Sequence, residues 1–141
     1  MTEVSPEARP ADRPKHLLGV LIVTAGVTLV AFLGWLAWDQ QKTRIPGTSN
    51  LDGPYDPWQV IGLGVTLVLL AAALTWIGRG WIAVVVIPVV LTAAWSVDAA
   101  GDNSADANLW PIGAAFLGVG SFIGVFVVYA LTRLVRRVAR G

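Results

Sequence analysis

The sequence predicts an all-α membrane protein: a bundle of four transmembrane helices with short connections. The first observation is composition, because 55% of the 141 residues are hydrophobic and 13% are charged, whereas soluble domains carry about 25% charged residues. The second is that the apolar residues form uninterrupted blocks without helical or strand periodicity, which is typical of membrane spans. The third is a short turn at residues 76–81, where Arg79 is the only charge between two such blocks. This turn predicts a hairpin of two spanning helices.

The chain begins with a polar segment and then the first span. Residues 1–16 contain several prolines, mixed charges and no apolar residues able to build a core, so we expect a disordered tail. Residues 17–38 contain no charge, and at ~1.5 Å per residue they are long enough to cross a ~30 Å hydrocarbon layer. A signal peptide has a shorter apolar region, about 7–15 residues, ending in small residues. We therefore interpret this block as a membrane anchor.

Three further spans are predicted at residues 58–77, 81–97 and 109–131. Pro88 falls near the middle of the third span, where the missing N–H is expected to kink the helix; neighbouring helices can satisfy the freed carbonyl. Pro111 falls in the first turn of the fourth span, a position that proline tolerates well. The chain then ends in a short basic tail.

Charge and tryptophan patterns predict the orientation. Four spans place both chain ends on the same side as the turn at residues 76–81. That side holds eight of the ten Lys and Arg residues, and the other two, Lys42 and Arg44, lie on the opposite side. Since short loops rich in Lys and Arg stay cytoplasmic, both termini are expected in the cytoplasm and residues 39–57 and 98–108 outside. Tryptophans at the span ends agree with this placement, because their rings favour the interface. The excess of Arg over Lys is typical of a GC-rich bacterial genome, so the cell (plasma) membrane is the expected location.

Several classes of function are disfavoured. The chain has no cysteine, which excludes disulfides and thiolate metal sites. The predicted spans contain no Asp, Glu, Lys, Arg or His, whereas proton-coupled transporters and pumps need such groups inside the membrane. The single histidine, His16, has no neighbouring ligand, and a net charge of +1 does not suggest nucleic-acid binding. We expect no catalytic residues and no cofactor.

Small and hydroxyl residues are the main feature of the spans. Gly113, Gly120 and Gly124 fall on one face of the fourth span, and such a face lets another helix approach closely. Two alternatives stay open: the glycines pack within the monomer, or they dock a second subunit. The span hydroxyls are expected to bond to their own helices rather than to line a polar path. They are Thr24, Thr28, Thr66, Thr75, Thr92, Ser96 and Ser121.

The outer loop carries a candidate cation site. Asp98, Asp102 and Asp106 recur every four residues, so their carboxylates would share one face of a helix and offer oxygen ligands to a hard cation such as Ca²⁺. The loop lacks the spacing of an EF-hand, and Gly101 argues against a continuous helix. A solvated acidic loop that helps to set the orientation is the alternative interpretation.

The basic tail, residues 132–141, carries four arginines. We expect it to lie along the cytoplasmic leaflet and to attract anionic lipid headgroups, at ~1 kcal/mol per base near the surface. An orientation signal alone is the alternative. The four are Arg133, Arg136, Arg137 and Arg140.

These observations predict a non-enzymatic integral membrane protein. The favoured function is an accessory or scaffold subunit that packs against other membrane proteins or lipid; the alternative is a small oligomeric channel or transporter component. The expected partners are anionic lipids of the cytoplasmic leaflet and either another membrane protein or further copies of the chain, with no nucleic acid. A membrane enzyme is least favoured, because its catalytic groups would have to come from the loops.

Overall fold

A computed structural model describes residues 13–37, 46–47, 55–101 and 109–141. Four helices and no strands are present in these ranges, and each helix is long and apolar enough to cross a membrane. The predicted all-α, four-helix fold is therefore confirmed. The helices are α1 (Arg13–Leu36), α2 (Pro57–Trp76), α3 (Gly80–Gly101) and α4 (Trp110–Val138).

The helix bounds differ from the predicted spans mainly at the chain ends and in the outer loop. α1 begins at Arg13, so the last residues of the predicted tail are helical, and Pro14 falls in the first turn, where its missing N–H costs nothing. α3 continues to Gly101 and α4 to Val138. Most of the basic tail is thus a continuation of α4. Residues 1–12, Trp38 and most of the outer loops lie outside the described residues.

The turn between α2 and α3 is closed by a glycine in the left-handed region. Gly78 has φ of 84°; its N–H donates to the Thr75 carbonyl at 3.0 Å, and the Arg79 N–H donates to the Leu74 carbonyl at 2.8 Å. This pair of bonds is the Schellman motif, which satisfies carbonyls at a helix end. α3 begins at the following residue, Gly80. The short polar turn is therefore a true helical hairpin.

The α2–α3 hairpin forms the centre of the bundle. α1 packs against α2 and α3 on one side and α4 packs against the same two helices on the other, while α1 and α4 do not contact each other within the described residues. α3 carries the most deeply buried large side chains, Ile82 and Ile87. Most of the surface of α4 is exposed: only Ala114 and Val125 are buried on this helix.

A tryptophan joins α1 to α2. The Trp35 indole N–H donates to Thr66 Oγ1 at 3.1 Å, and the Thr66 hydroxyl donates to the Gly62 carbonyl at 2.8 Å. The Trp35 ring lies against Gly62, where a Cβ would be 2.5 Å from Trp35 Cζ3. Trp35 also meets Trp58 edge-on, with ring centroids 6.1 Å apart. The glycine thus makes room for the ring that connects the two helices.

α3 is helical on both sides of Pro88. The proline is buried and the helix is assigned without a break from Gly80 to Gly101. Because proline has no N–H, the carbonyl one turn earlier loses its usual donor. One turn later, the Thr92 hydroxyl is buried with no hydrogen-bond partner. Pro88 therefore does not end α3, and the kink expected at this position stays a prediction.

Candidate functional site

Arginine side chains connect the helices at the end of the bundle that holds the α2–α3 turn. Arg79 Nη1 donates to the His16 carbonyl at 3.4 Å, which ties the turn to the start of α1. Arg136 Nη1 donates to the Thr75 carbonyl at 3.2 Å, which ties the end of α4 to the end of α2. We call this the basic end.

The opposite end, which we call the acidic end, carries both of the acidic side chains within the described residues, Asp56 and Asp98. Tyr55 donates its hydroxyl proton to Asp98 Oδ2 at 2.5 Å and so holds the approach to α2 against the last turns of α3. The Trp58 indole N–H donates to Asp56 Oδ2 at 3.2 Å. The charge separation between the two ends agrees with the charge pattern of the sequence.

Of the three aspartates in the candidate cation site, only Asp98 lies within the described residues. This carboxylate is half-buried and engaged with Tyr55. Asp102 and Asp106 lie outside the described residues, and the part of the chain that is described holds no cluster of three or more potential metal ligands. The cation site therefore stays a prediction.

The side-chain amide of Gln59 is buried near the acidic end, and this burial was not predicted from the sequence. Gln59 is 1% exposed; its Oε1 accepts the Asp56 backbone N–H at 2.9 Å, while its Nε2 is buried without a hydrogen-bond partner. The spacing of an Asp followed three residues later by a Gln is a capping-box pattern. That local signal predicts the bond to the N-cap, but it does not predict the burial of the other amide atom.

The glycines of α4 divide into occupied and open positions. A Cβ at Gly113 would lie 2.7 Å from Trp95 Cη2, so this glycine packs against α3. Gly118, about two turns from the start of the helix, lies against Thr92 of α3. A Cβ at Gly120 or Gly124 would meet nothing within 4 Å. We call Gly120 and Gly124 the open face of α4.

A groove between α2 and α4, which we call the α2–α4 groove, lies beside the open face. Its volume is about 250 Å³, and Gly64 of α2 lies on one wall with Ser121 and Gly124 of α4 on the other. The buried side chains of Ile87 and Leu91 from α3 form its floor. The lining is almost wholly apolar. The groove is thus a recess in the membrane-facing surface of the bundle.

The hydroxyl groups of the spans mostly bond to their own helices, as predicted. Each bonded hydroxyl donates to a carbonyl three or four residues earlier, over 2.6 to 3.1 Å, and Thr92 is the exception. The hydroxyl protons of these residues are therefore used within their own helices. The bonded residues are Thr24, Thr28, Thr66, Thr75, Ser96 and Ser121.

A small cavity of about 220 Å³ lies at the basic end, between the α2–α3 turn and α4. Gly80 fits closely against Thr75 and Tyr129, which draws the start of α3 onto α4. Trp81 lines the cavity from α3, and two arginines line it from α4. We call this the basic cavity, lined by Thr75, Gly78, Gly80, Trp81, Tyr129, Arg133 and Arg136.

The arginines of the basic tail are not equivalent in the structure. Arg133 Nη1 donates to the Tyr129 hydroxyl at 2.9 Å, and its guanidinium carbon lies 5.9 Å from the centre of that ring. Arg136 is half-buried and caps α2, and its Nε is buried without a hydrogen-bond partner. Arg137 and Arg140 are exposed; they do not line the basic cavity, but with Arg133 and Arg136 they border a depression beside it. All four arginines were predicted from the sequence to contact lipid headgroups. The contact of Arg136 with α2 was not predicted.

These features define a multi-pass helical membrane protein, with four membrane-length apolar helices and with polar contacts between helices concentrated towards the two ends of the described bundle. No protein family, no curated protein and no solved structure matches the chain. The geometry of the described residues is therefore the basis for the proposals that follow.

Proposed function

We propose that the chain is a non-enzymatic accessory or scaffold subunit of the cell membrane. The open face of α4 and the α2–α4 groove would receive one transmembrane helix of another membrane protein. The observation that carries this proposal is the absence of any neighbour within 4 Å of a Cβ at Gly120 or Gly124. These glycines lie on a helix that buries only Ala114 and Val125 within the chain.

Close backbone approach is the reason to expect a helix at this face. Helices in a bilayer gain little from burying apolar surface, because lipid tails are equally apolar, so they associate through tight packing at small residues. Gly64 on α2 and Gly124 on α4 leave room on both walls of the groove. A rounded helix surface would fit this recess and make close dispersion contacts with its lining atoms.

The concave shape favours a different protein over a second copy. In a symmetric dimer the same patch must be complementary to itself. Two copies of a recessed groove facing each other would leave the recess unfilled. A single projecting helix of another protein fills it, and the function of an accessory subunit follows from that fit.

The orientation completes the proposal. Arg79, Arg133 and Arg136 gather at the basic end, while Asp56 and Asp98 lie at the acidic end. Since Lys and Arg of short loops stay in the cytoplasm, we propose that the basic end and both chain termini face the cytoplasm.

Site-specific photo-crosslinking in intact membranes tests the proposed contact. A photoreactive residue replaces Val127 in one variant and Val30 in the matched control. Both valines are exposed, and Val127 lies one heptad after Gly120 on the same side of α4, so both glycines of the open face are kept. We expect one heterologous membrane protein to be crosslinked from position 127 and not from position 30. The same product should form again from the two purified proteins. It should be lost on adding Gly124→Leu but retained on adding Gly26→Leu, because Gly26 is an exposed glycine of α1 with nothing within 4 Å of its Cβ position.

Other products contradict the accessory function in distinct ways. A product at twice the chain mass of 14.9 kDa indicates a homo-oligomer; ion leakage through liposomes containing it would then favour the alternative, a channel or transporter component. Equal crosslinking from positions 127 and 30, or lipid adducts alone, would show that the open face of α4 is simply covered by lipid.

A further inference from the structure

The basic cavity has the chemistry of a phosphate-binding site. We propose that it binds one phosphate group, either the phosphodiester of an anionic membrane lipid or free inorganic phosphate, through Arg133 and Arg136. The proposal goes beyond the helix-packing function and does not depend on it, because the basic cavity and the α2–α4 groove share no lining residue.

The first argument is the unsatisfied guanidinium of Arg136. Its Nη1 is bonded to the Thr75 carbonyl at 3.2 Å, but its Nε is buried and has no acceptor. A buried donor on a charged group that lacks a partner loses its hydration without compensation, so the cost falls on the charged guanidinium group. An anion in the cavity that Arg136 lines would offset this cost through its charge.

The second argument is the positive charge around the cavity. Arg133 and Arg136 both line it, and the two acidic side chains within the described residues lie at the other end of the bundle. Guanidinium groups donate two parallel hydrogen bonds to phosphate oxygens. Phosphate is therefore better matched than a neutral ligand.

The third argument is fixed geometry and size. Tyr129 accepts a hydrogen bond from Arg133, and Thr75 accepts one from Arg136, so both guanidinium groups are held before a ligand arrives. The cavity of about 220 Å³ exceeds the ~30 Å³ share of a single water molecule. Trp81 lines it, and tryptophan favours the interface of a bilayer. This placement puts the cavity at the depth of lipid phosphates.

Binding to the purified full-length chain in detergent tests the site. The probes are phosphatidylglycerol, phosphatidylcholine and inorganic phosphate, and the readouts are retained lipid by native mass spectrometry and the shift in thermal unfolding. Arg133→Gln is expected to weaken phosphate-group binding about tenfold, or ~1.4 kcal/mol. The matched control Arg140→Gln removes the same charge from an exposed residue outside the cavity, and we expect a loss under about threefold.

A second variant separates binding from charge and from folding. Arg136→Lys keeps the positive charge and a donor for the Thr75 carbonyl, but it removes the Nε–H and the planar fork. We expect it also to weaken binding about tenfold, with the unliganded protein still folded.

The outcomes distinguish the source of the phosphate and can overturn the proposal. Stabilisation by phosphatidylglycerol over phosphatidylcholine, with none by inorganic phosphate, supports a lipid site. Stabilisation by inorganic phosphate alone, lost in Arg133→Gln, supports a site for a soluble phosphate. Equal losses in Arg133→Gln and Arg140→Gln, or no binding of any probe, would show diffuse charge attraction or no site, and either result refutes the proposal.

Discussion

Replacing Gly80 with alanine is expected to destabilise the bundle at the α2–α3 turn. The added Cβ would lie 2.9 Å from Thr75 Cα and would also collide with the Thr75 hydroxyl and the Tyr129 ring. Gly80 itself does not have a positive φ, so alanine is compatible with the backbone conformation. The expected effect is therefore steric rather than conformational.

The magnitude follows from which atoms must move. Thr75 Cα belongs to the backbone of α2, and the Thr75 hydroxyl is buried and donates to the Ala71 carbonyl at 2.7 Å. Neither atom can rotate away as the end of a flexible side chain would. Inserting a methyl group into such a site typically costs ~1–3 kcal/mol. We expect Gly80→Ala to lower the free energy of unfolding by that amount.

The assay is reversible unfolding of the purified chain in mixed micelles, with Gly26→Ala as the matched control. Gly26 lies inside α1 with nothing within 4 Å of its Cβ position. There, alanine relieves the conformational cost of glycine, roughly 0.5–1 kcal/mol in a helix interior. The two substitutions should thus change stability in opposite directions. If Gly80→Ala is as stable as the original chain, the close contact between α3, α2 and α4 is not present in the folded protein.

Two further predictions concern contacts elsewhere in the bundle, and a third concerns its orientation in the membrane. Trp35→Phe and Thr66→Val should each lower the free energy of unfolding by ~0.6 kcal/mol, because each removes the interhelical hydrogen bond. The double variant should lose less than the sum of the two single losses, and full additivity would mean that the bond does not form. Tyr55→Phe should destabilise the chain by ~1 kcal/mol, because it removes the hydroxyl that donates to Asp98. The same substitution made in an Asp98→Ala background should cost clearly less, and an equal cost in both backgrounds contradicts the contact. A reporter fused after Gly141 should be active only in the cytoplasm, and exterior activity would reverse the proposed orientation.

The four-helix architecture was predictable because it depends on local properties of the chain. Whether a block spans a bilayer is set by its length and lack of charge, and these can be read without any tertiary contact. The glycine after α2 and the short polar turn predicted a hairpin, which Gly78 closes through bonds to residues three to five positions earlier. The hydroxyl bonds of Thr24 and Thr28 likewise reach carbonyls four residues earlier.

The helix bounds were less predictable at the ends of the chain. α4 continues beyond residue 131 because a basic, amphipathic stretch is a good helix former even after it leaves the apolar block. Hydropathy alone ends the span where the first arginine appears. The sequence therefore predicted the span, while the full extent of the helix came from the structure.

By itself, the sequence determined the number of spans, their order and the charge asymmetry of the two ends. Only the tertiary structure decided that neighbouring side chains occupy the Cβ positions of Gly80 and Gly113, while the Cβ position of Gly120 is open. It also decided that Arg136 of α4 donates to the Thr75 carbonyl on α2. The physical reason is that a membrane helix is apolar towards lipid and towards its neighbours alike. No hydrophobic periodicity marks the packed face of such a helix. The fit of side chains in the folded bundle therefore decides which residues from distant parts of the chain come into contact.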